Sequence, residues 1–386
     1  MSTTLPDDFF KWLVELRRWF HRFPEPAYKE VKTAAKICET LDTLKVPFQT
    51  GVGGTGVVAK LSAKRTGHVI AFRTDMDALT LEEKNDVPYK SRNPGFMHAC
   101  GHDGHMTIAL GIIRWLIENR WPQNGCGEIV FIFQPAEEGP GGAFEIIKTG
   151  ILEKYHVSEV YGLHLFPNYP EGTVVAKSGP LMASITLIDL IINGVSSHVA
   201  MPNEGVDALY YGALFYADIV SRLSESLKSE DYIFKFGKMT SGTVRNIVSN
   251  LTSFEGTIRT FSNEIKQQII DIIQQIKTKY EQLYGLNIEI HFEDLYPSVN
   301  NDVELFNRFK AQMKDDFVFE ELPSPLMISE DFSFYQQEVR GVFYFLGTNN
   351  PDLGFTYRLH NDRFNFNEDV LQIGIETFKK IIKSYK

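Results

Sequence analysis

Val69-Ile-Ala-Phe-Arg73-Thr-Asp75-Met-Asp77 is a short apolar run that stops at two carboxylates, and Glu128-Ile-Val-Phe-Ile-Phe133-Gln-Pro-Ala-Glu137-Glu138 repeats the design. Unbroken apolar runs of this length read as strands buried on both faces of a sheet. Val160-Tyr-Gly-Leu-His164-Leu-Phe166 is a third, with a histidine inside it. A helical pattern over Met106–Glu118 separates the first two, and another opens at Ala143–Lys148 after the second. Strands alternating with helices predict an α/β sheet, and such sheets collect ligands beyond the C-terminal ends of their strands. The carboxylates of this chain fall at those ends.

Outward from the first strand lies His98-Ala-Cys100-Gly-His102-Asp103-Gly-His105, with three imidazoles, a thiol and a carboxylate in one octet. Read as extended backbone, side chains two residues apart share a face, so Cys100 and His102 would converge on one cation while Asp103 braces from behind. A cysteine nucleophile with a histidine base is the rival chemistry, and the cluster alone leaves both open. Glu137 and Glu138 follow a strand end and precede the turn Gly139-Pro-Gly-Gly142. In extended backbone they would point to opposite sides, one to a metal and one to the substrate, as metal-assisted hydrolysis requires. Cys100, His102, Glu138, His164 and His360 together offer ligands from four segments, enough for two cations sharing a bridging group.

A chain of 386 residues exceeds the length at which one core keeps growing, so two domains are expected. Hydrophobic content of 43% and charged content of 23% are those of an ordinary globular protein. A formal charge of -10 without a basic run argues against nucleic acid or an anionic membrane as partner and favours a small molecule. The opening Met1-Ser-Thr-Thr-Leu-Pro-Asp-Asp8 lacks the basic start and apolar core of a secretory signal, and nowhere do eighteen apolar residues run together. A cytoplasmic protein is expected, with Cys38, Cys100 and Cys126 reduced.

Residues 7 to 21 carry apolar side chains at helical spacing, with Asp7 or Asp8 as cap, and a second helix is expected over about Lys29 to Leu44. Gly51-Val-Gly53-Gly-Thr-Gly56 matches a dinucleotide fingerprint only formally. That fingerprint needs a strand before it and a helix after it, whereas here a helix precedes and the strand-like Val57–Leu61 follows. It reads as a turn. From about Ala183 the pattern becomes strand (184–193), helix (208–227), strand (250–260), helix (263–284) and strand (287–292), an α+β unit of its own. Beyond about residue 295 the texture is again turn-rich and strand-like. The expected division is a first domain of residues 1–182 and 295–386, interrupted by a second of residues 183–294.

These residues resemble the aminoacylase/carboxypeptidase-like metallopeptidases, specifically the amidohydrolase subgroup of N-acetyldiaminopimelate deacetylases, hippurate hydrolases and auxin-conjugate hydrolases. The resemblance covers nearly the whole chain. It runs through Leu16–Glu25, Arg73–Ala78, Met97–His105, Phe133–Gly142, Gly162–His164, Ser197-His198, Glu255–Thr260, Ser329–Phe332 and Leu359-His360. It implies a zinc-peptidase-like mixed sheet flanked by helices, with an inserted smaller α+β lid domain that also serves dimerisation. It further implies a di-metal centre in which Cys100 bridges two divalent cations, of zinc, manganese, cobalt or nickel, and His102, Glu138, His164 and His360 complete the ligands. Asp75 and Asp103 would support them.

Glu137 then looks like the general base that takes a proton from the attacking water and returns it to the departing amine. His198 matches a histidine that hydrogen-bonds the developing oxyanion, often across a dimer interface, which implies a homodimer or higher homo-oligomer. Asn246 and Arg259 match residues that hold the substrate, a guanidinium being well shaped for an amino-acid carboxylate. The chain departs from the family pattern at Ser196-Ser197-His198, where Gly-Gly-His is usual, at Pro202-Asn203 and at Ile328; these bear on substrate fit. The resemblance implies a deacylase of N-acyl amino acids, with N-acetyldiaminopimelate of lysine synthesis as first substrate and hippurate-type N-acyl amino acids as alternative. A catalytically silent metal-bound regulator on the same fold is the reading from another class, and the intact Glu137 argues against it.

Overall fold

The computed structural model describes residues 5–229 and 231–385. Met1–Thr4, part of the stretch read as lacking a secretory signal, lies outside them. The chain forms two compact units, Met1–Leu181 with Asn300–Ser324 and Asp331–Lys386, and Met182–Val299 with Pro325–Glu330.

The larger unit is built on a mixed sheet whose spatial order is Phe48–Val52, Gly56–Ser62, Cys126–Gln134, Arg65–Asp75, Glu159–Pro170, Arg340–Asn349, Val174–Ala176 and Phe319–Glu321. Its centre is parallel, with Arg65–Asp75 between Cys126–Gln134 and Glu159–Pro170, and Arg340–Asn349 beyond the latter. Burial on both faces explains why Phe131, Phe133, Leu165 and Phe345 sit in uninterrupted apolar runs. The helix His102–Glu118 is buried almost all round in its first half. A Cβ on its Gly111 would meet Leu13 from one neighbouring helix at 2.8 Å and Ile375 from another at 2.5 Å, which shows how tightly Asp7–Arg22 and Val370–Lys383 clamp it.

The local structure departs from the sequence expectation at several points. The helix Asp7–Arg22 is capped by Pro6 with no side-chain cap bond; Asp7 and Asp8 lie in its first turn, where carboxylates favour the helix dipole without capping. The region after 295, read as strand-like, also holds the helices Val303–Met313 and Val370–Lys383. The octet is not extended either. Gly101 adopts a left-handed conformation (φ 87°) and His102 begins a helix, so the turn, rather than strand alternation, sets the directions of Cys100 and His102.

The smaller unit is an antiparallel sheet ordered Asn287–Tyr296, Ser184–Asn193, Leu251–Thr260 and Tyr232–Ser241, packed with the helices Ala208–Ser226 and Asn263–Tyr284. Its core gathers Ile188, Leu190, Ile192, Phe215, Ile219, Phe254, Ile269 and Ile273. Asp207 caps the first helix by accepting from the Leu209 and Tyr210 amides, and Ser262 caps the second through Ile265. The strand Tyr232–Ser241 was not expected; it is an edge strand burying only Phe234, so it carries little apolar signal. Among the described residues no helix is long and apolar enough to cross a membrane.

Candidate metal centre

The site assembles at the C-terminal side of the parallel strands of the larger unit. The strand Arg65–Asp75 runs into Asp77, whose main-chain carbonyl accepts from His102 Nδ1 at 2.9 Å. That bond fixes the tautomer and leaves Nε2 as a lone-pair donor aimed inward. His164 is set in the same way, its Nδ1 donating to the Leu165 carbonyl at 2.7 Å, so that its Nε2 faces Cys100 Sγ at 3.3 Å. His360 arrives on a loop, in left-handed backbone (φ 62°), with its amide on the Ala99 carbonyl. Its Nε2 lies 3.4 Å from Cys100 Sγ and 3.3 Å from Glu138 Oε1.

Cys100, His102 and His164 thus form one group of possible ligands, and Cys100, Glu138 and His360 a second. The thiol belongs to both, as a bridging ligand would. His102 Nε2 is buried and makes no hydrogen bond among the described residues, 3.9 Å from Glu137 Oε2 and 4.0 Å from Glu138 Oε1. A buried ring nitrogen without a partner costs free energy unless something engages it. Burial works against charging His102, yet Asp75, Asp77 and Glu138 push its pKa up to about 10. That surplus of carboxylate is charge a divalent cation neutralises, and thiolate, imidazole and carboxylate donors suit zinc and its neighbours. The residues therefore fit a two-cation site.

Glu137 and Glu138 sit on a tight turn, not in extended backbone, and their carboxylates converge on His102 instead of diverging. The turn is held from outside. Asp77 accepts from both glutamate amides, at 3.1 and 3.0 Å, and Glu30, wholly buried, accepts from the Ala136 amide at 2.9 Å. Gly142 closes it: a Cβ there would stand 1.8 Å from the Pro135 carbonyl oxygen, so only glycine fits. Asp77 and Glu30 were not singled out for this duty. Asp77 was visible as a carboxylate at a strand end, whereas nothing in the sequence tied Glu30 to a turn more than a hundred residues away.

The supporting residues divide. Asp75 Oδ1 binds His105 Nδ1 at 2.7 Å, and His105 Nε2 accepts from the Leu165 amide at 2.9 Å, so both nitrogens of His105 are engaged and it is no ligand. Asp103 does not brace a ligand imidazole. It binds Arg17 Nε at 2.9 Å and His21 Nδ1 at 2.7 Å, tying the first helix beneath the site. Burial opposes its charge, but Arg17 and then His21 hold the Asp103 carboxyl far below the usual carboxylate range. A depressed carboxyl contributes stability above its ordinary pKa of about 3.9 and loses it as pH falls further. Asp103→Asn is expected to cost about 3–5 kcal/mol in urea unfolding at neutral pH, because Arg17 and His21 lose the wholly buried carboxylate they share and Arg17 keeps only its longer pair with Glu368, at 3.5 Å. The wild type, but not the variant, should lose that increment below about pH 4.

His198, Asn246 and Arg259 lie in the smaller unit. His198 Nδ1 accepts from the Ala200 amide at 3.1 Å, which leaves the proton of the neutral ring on Nε2. The Asn246 carbonyl accepts from Val199, so these two segments run together. Arg259 is half-buried and donates through Nη1 to the Met327 carbonyl and Ser329 Oγ, at 2.9 and 3.1 Å.

Residues 71–384 match the model of peptidase family M20/M25/M40. The chain is 34% identical to thermostable carboxypeptidase 1 of Saccharolobus solfataricus over 94% of this chain and 92% of that one. It is 33% identical to N-acetyldiaminopimelate deacetylase of Exiguobacterium sibiricum, over 97% of this chain and all of that one. Among solved structures, the Bacillus subtilis YXEP protein, described as a dinuclear metal binding peptidase of family M20, superposes with a TM-score of 0.83 at 29% identity over 98% of both chains. A mixed sheet delivering thiol, imidazoles and a glutamate pair to one point is what such kinship predicts, and the chain belongs to peptidase family M20/M25/M40 as a hydrolase of amide or peptide bonds.

Proposed function

We propose that the protein removes the acyl group from N-acyl amino acids, with N-acetyldiaminopimelate as the preferred substrate and a place in lysine synthesis in the cytoplasm. The observation that carries the hydrolytic part is Glu137, almost fully buried, with its carboxylate beside His102 Nε2 and its backbone clamped by Asp77. Cys100, His102, Glu138, His164 and His360 would hold two divalent cations, which when bound supply Lewis acidity to the scissile carbonyl and charge to the attacking water. Glu137 accepts the proton of that water and delivers it to the departing nitrogen. His198 donates its Nε2 proton to the developing oxyanion, on the tautomer that Ala200 sets. Asn246 and Arg259 hold the amino-acid end, Arg259 through donors beyond the Nη1 group that Met327 and Ser329 engage.

The similarity to a named N-acetyldiaminopimelate deacetylase supports this substrate; the equal similarity to a named carboxypeptidase favours a peptide C-terminus as the second reading. Free thiols at Cys38, Cys100 and Cys126 accord with a reducing compartment. Exposed Val195, Val199, Met201, Leu209 and Tyr210 in the smaller unit support a homo-oligomer. A screen of acetyl, benzoyl and succinyl amino acids, N-acetyldiaminopimelate and short peptides against cation-loaded protein tests the assignment. The highest kcat/KM is expected for N-acetyldiaminopimelate. Turnover of peptides alone would replace it with the second reading.

A further inference from the structure

Ser329-Glu-Asp331-Phe332 is the sequence motif whose aspartate has no duty in the site so far. Asp331 is wholly buried in the larger unit. Its Oδ1 accepts from Arg73 Nη2 at 2.7 Å and Gln134 Nε2 at 2.9 Å, and its Oδ2 from Gln134 Nε2 at 2.8 Å and the Ala143 amide at 3.0 Å. Gln134 ends the strand before the Glu137-Glu138 turn and Ala143 lies in the first turn of the helix after it. One carboxylate therefore ties both ends of the turn that carries the general base.

Arg73 extends the tie to the histidines. Its Nε donates to Gln134 Oε1 and its Nη1 to Asp75 Oδ2, both at 2.8 Å. Asp75 holds His105, His105 holds the Leu165 amide, and the Leu165 carbonyl fixes the His164 ring. We propose that Asp331 is a positioning residue that keeps the Glu137-Glu138 turn and the His164 imidazole in register with one another. Arg73, Gln134 and Ala143 each present an N–H to this carboxylate, and an amide in its place would turn N–H against N–H at Gln134 or Ala143. The inference rests on Glu138 and His164 being ligands, as proposed above.

The test measures cobalt(II) binding by visible absorption, together with Tm, kcat and KM, for the wild type, Asp331→Asn and the double variant D331N/Q134E. The double variant returns a carboxylate to the cluster one side chain away, where it can accept from Arg73. Asp331→Asn is expected to bind cobalt about 10–100-fold more weakly and to lower kcat by at least about tenfold, with KM within about threefold. The double variant should recover most of the cobalt affinity. A folded Asp331→Asn protein with wild-type cobalt affinity would overturn the proposal. So would a double variant that folds with wild-type Tm yet binds cobalt weakly, and this second result decides the matter should the single variant not fold. Absence of hydrolysis by the wild type would count against the proposed function and leave the cobalt reading of Asp331 intact.

Discussion

Glu137→Gln is expected to lower kcat for amide hydrolysis by about 10²–10⁴-fold while the cation content of the protein stays at the wild-type level. The substitution keeps the shape of the side chain and the backbone bond from residue 137 to Asp77, and removes only the capacity to take a proton. The donor sets around Cys100 hold without it, since Cys100, His102 and His164 form one and Cys100, Glu138 and His360 the other. KM should move little, because the loss falls on the transition state. Metal analysis beside steady-state kinetics checks both halves. A fall of less than tenfold would remove Glu137 from the role of general base.

Cys100→Ala is expected to weaken cation binding by more than about 100-fold and to abolish hydrolysis with it. Sγ is the atom common to the His164 and His360 contacts, so its removal depletes both donor groups at once. The rival, a cysteine nucleophile, predicts lost activity with cation binding intact. Isothermal titration of the variant with zinc separates the two.

The sequence made the centre of the sheet legible because strands buried on both faces write themselves as unbroken apolar runs, as at Val69–Phe72 and Glu128–Phe133. The helix Asn263–Tyr284 was legible for the complementary reason, having one buried stripe and a Ser262 cap. Tyr232–Ser241 escaped because an edge strand with one buried side chain has no pattern to read. Val370–Lys383 escaped because its apolar face follows a turn-rich segment that set the expectation for the whole C-terminal region.

In the site, the chemically rare residues were legible from residue type, whereas their directions were not. Extended backbone was assumed for both the octet and the glutamate pair, and both lie on turns made by left-handed residues, Gly101 and Ala136. Asp103 was expected behind a ligand and instead anchors Arg17 and His21. The outer carboxylates were the least legible. Glu30 and Asp331 act on backbone amides at Ala136 and Ala143, and a bond to an amide leaves no trace in the identity of the residue that makes it.

The most direct test of the central claim is a cation titration of chelator-stripped protein, followed at once by hydrolysis of an N-acyl amino acid and by bound-cation content. Activity should be absent at first and rise with cation until two equivalents per chain are bound, and alkylation of the half-buried Cys38 and Cys126 should leave it unchanged. Hydrolysis that survives chelation and disappears on alkylation of Cys100 would contradict the account.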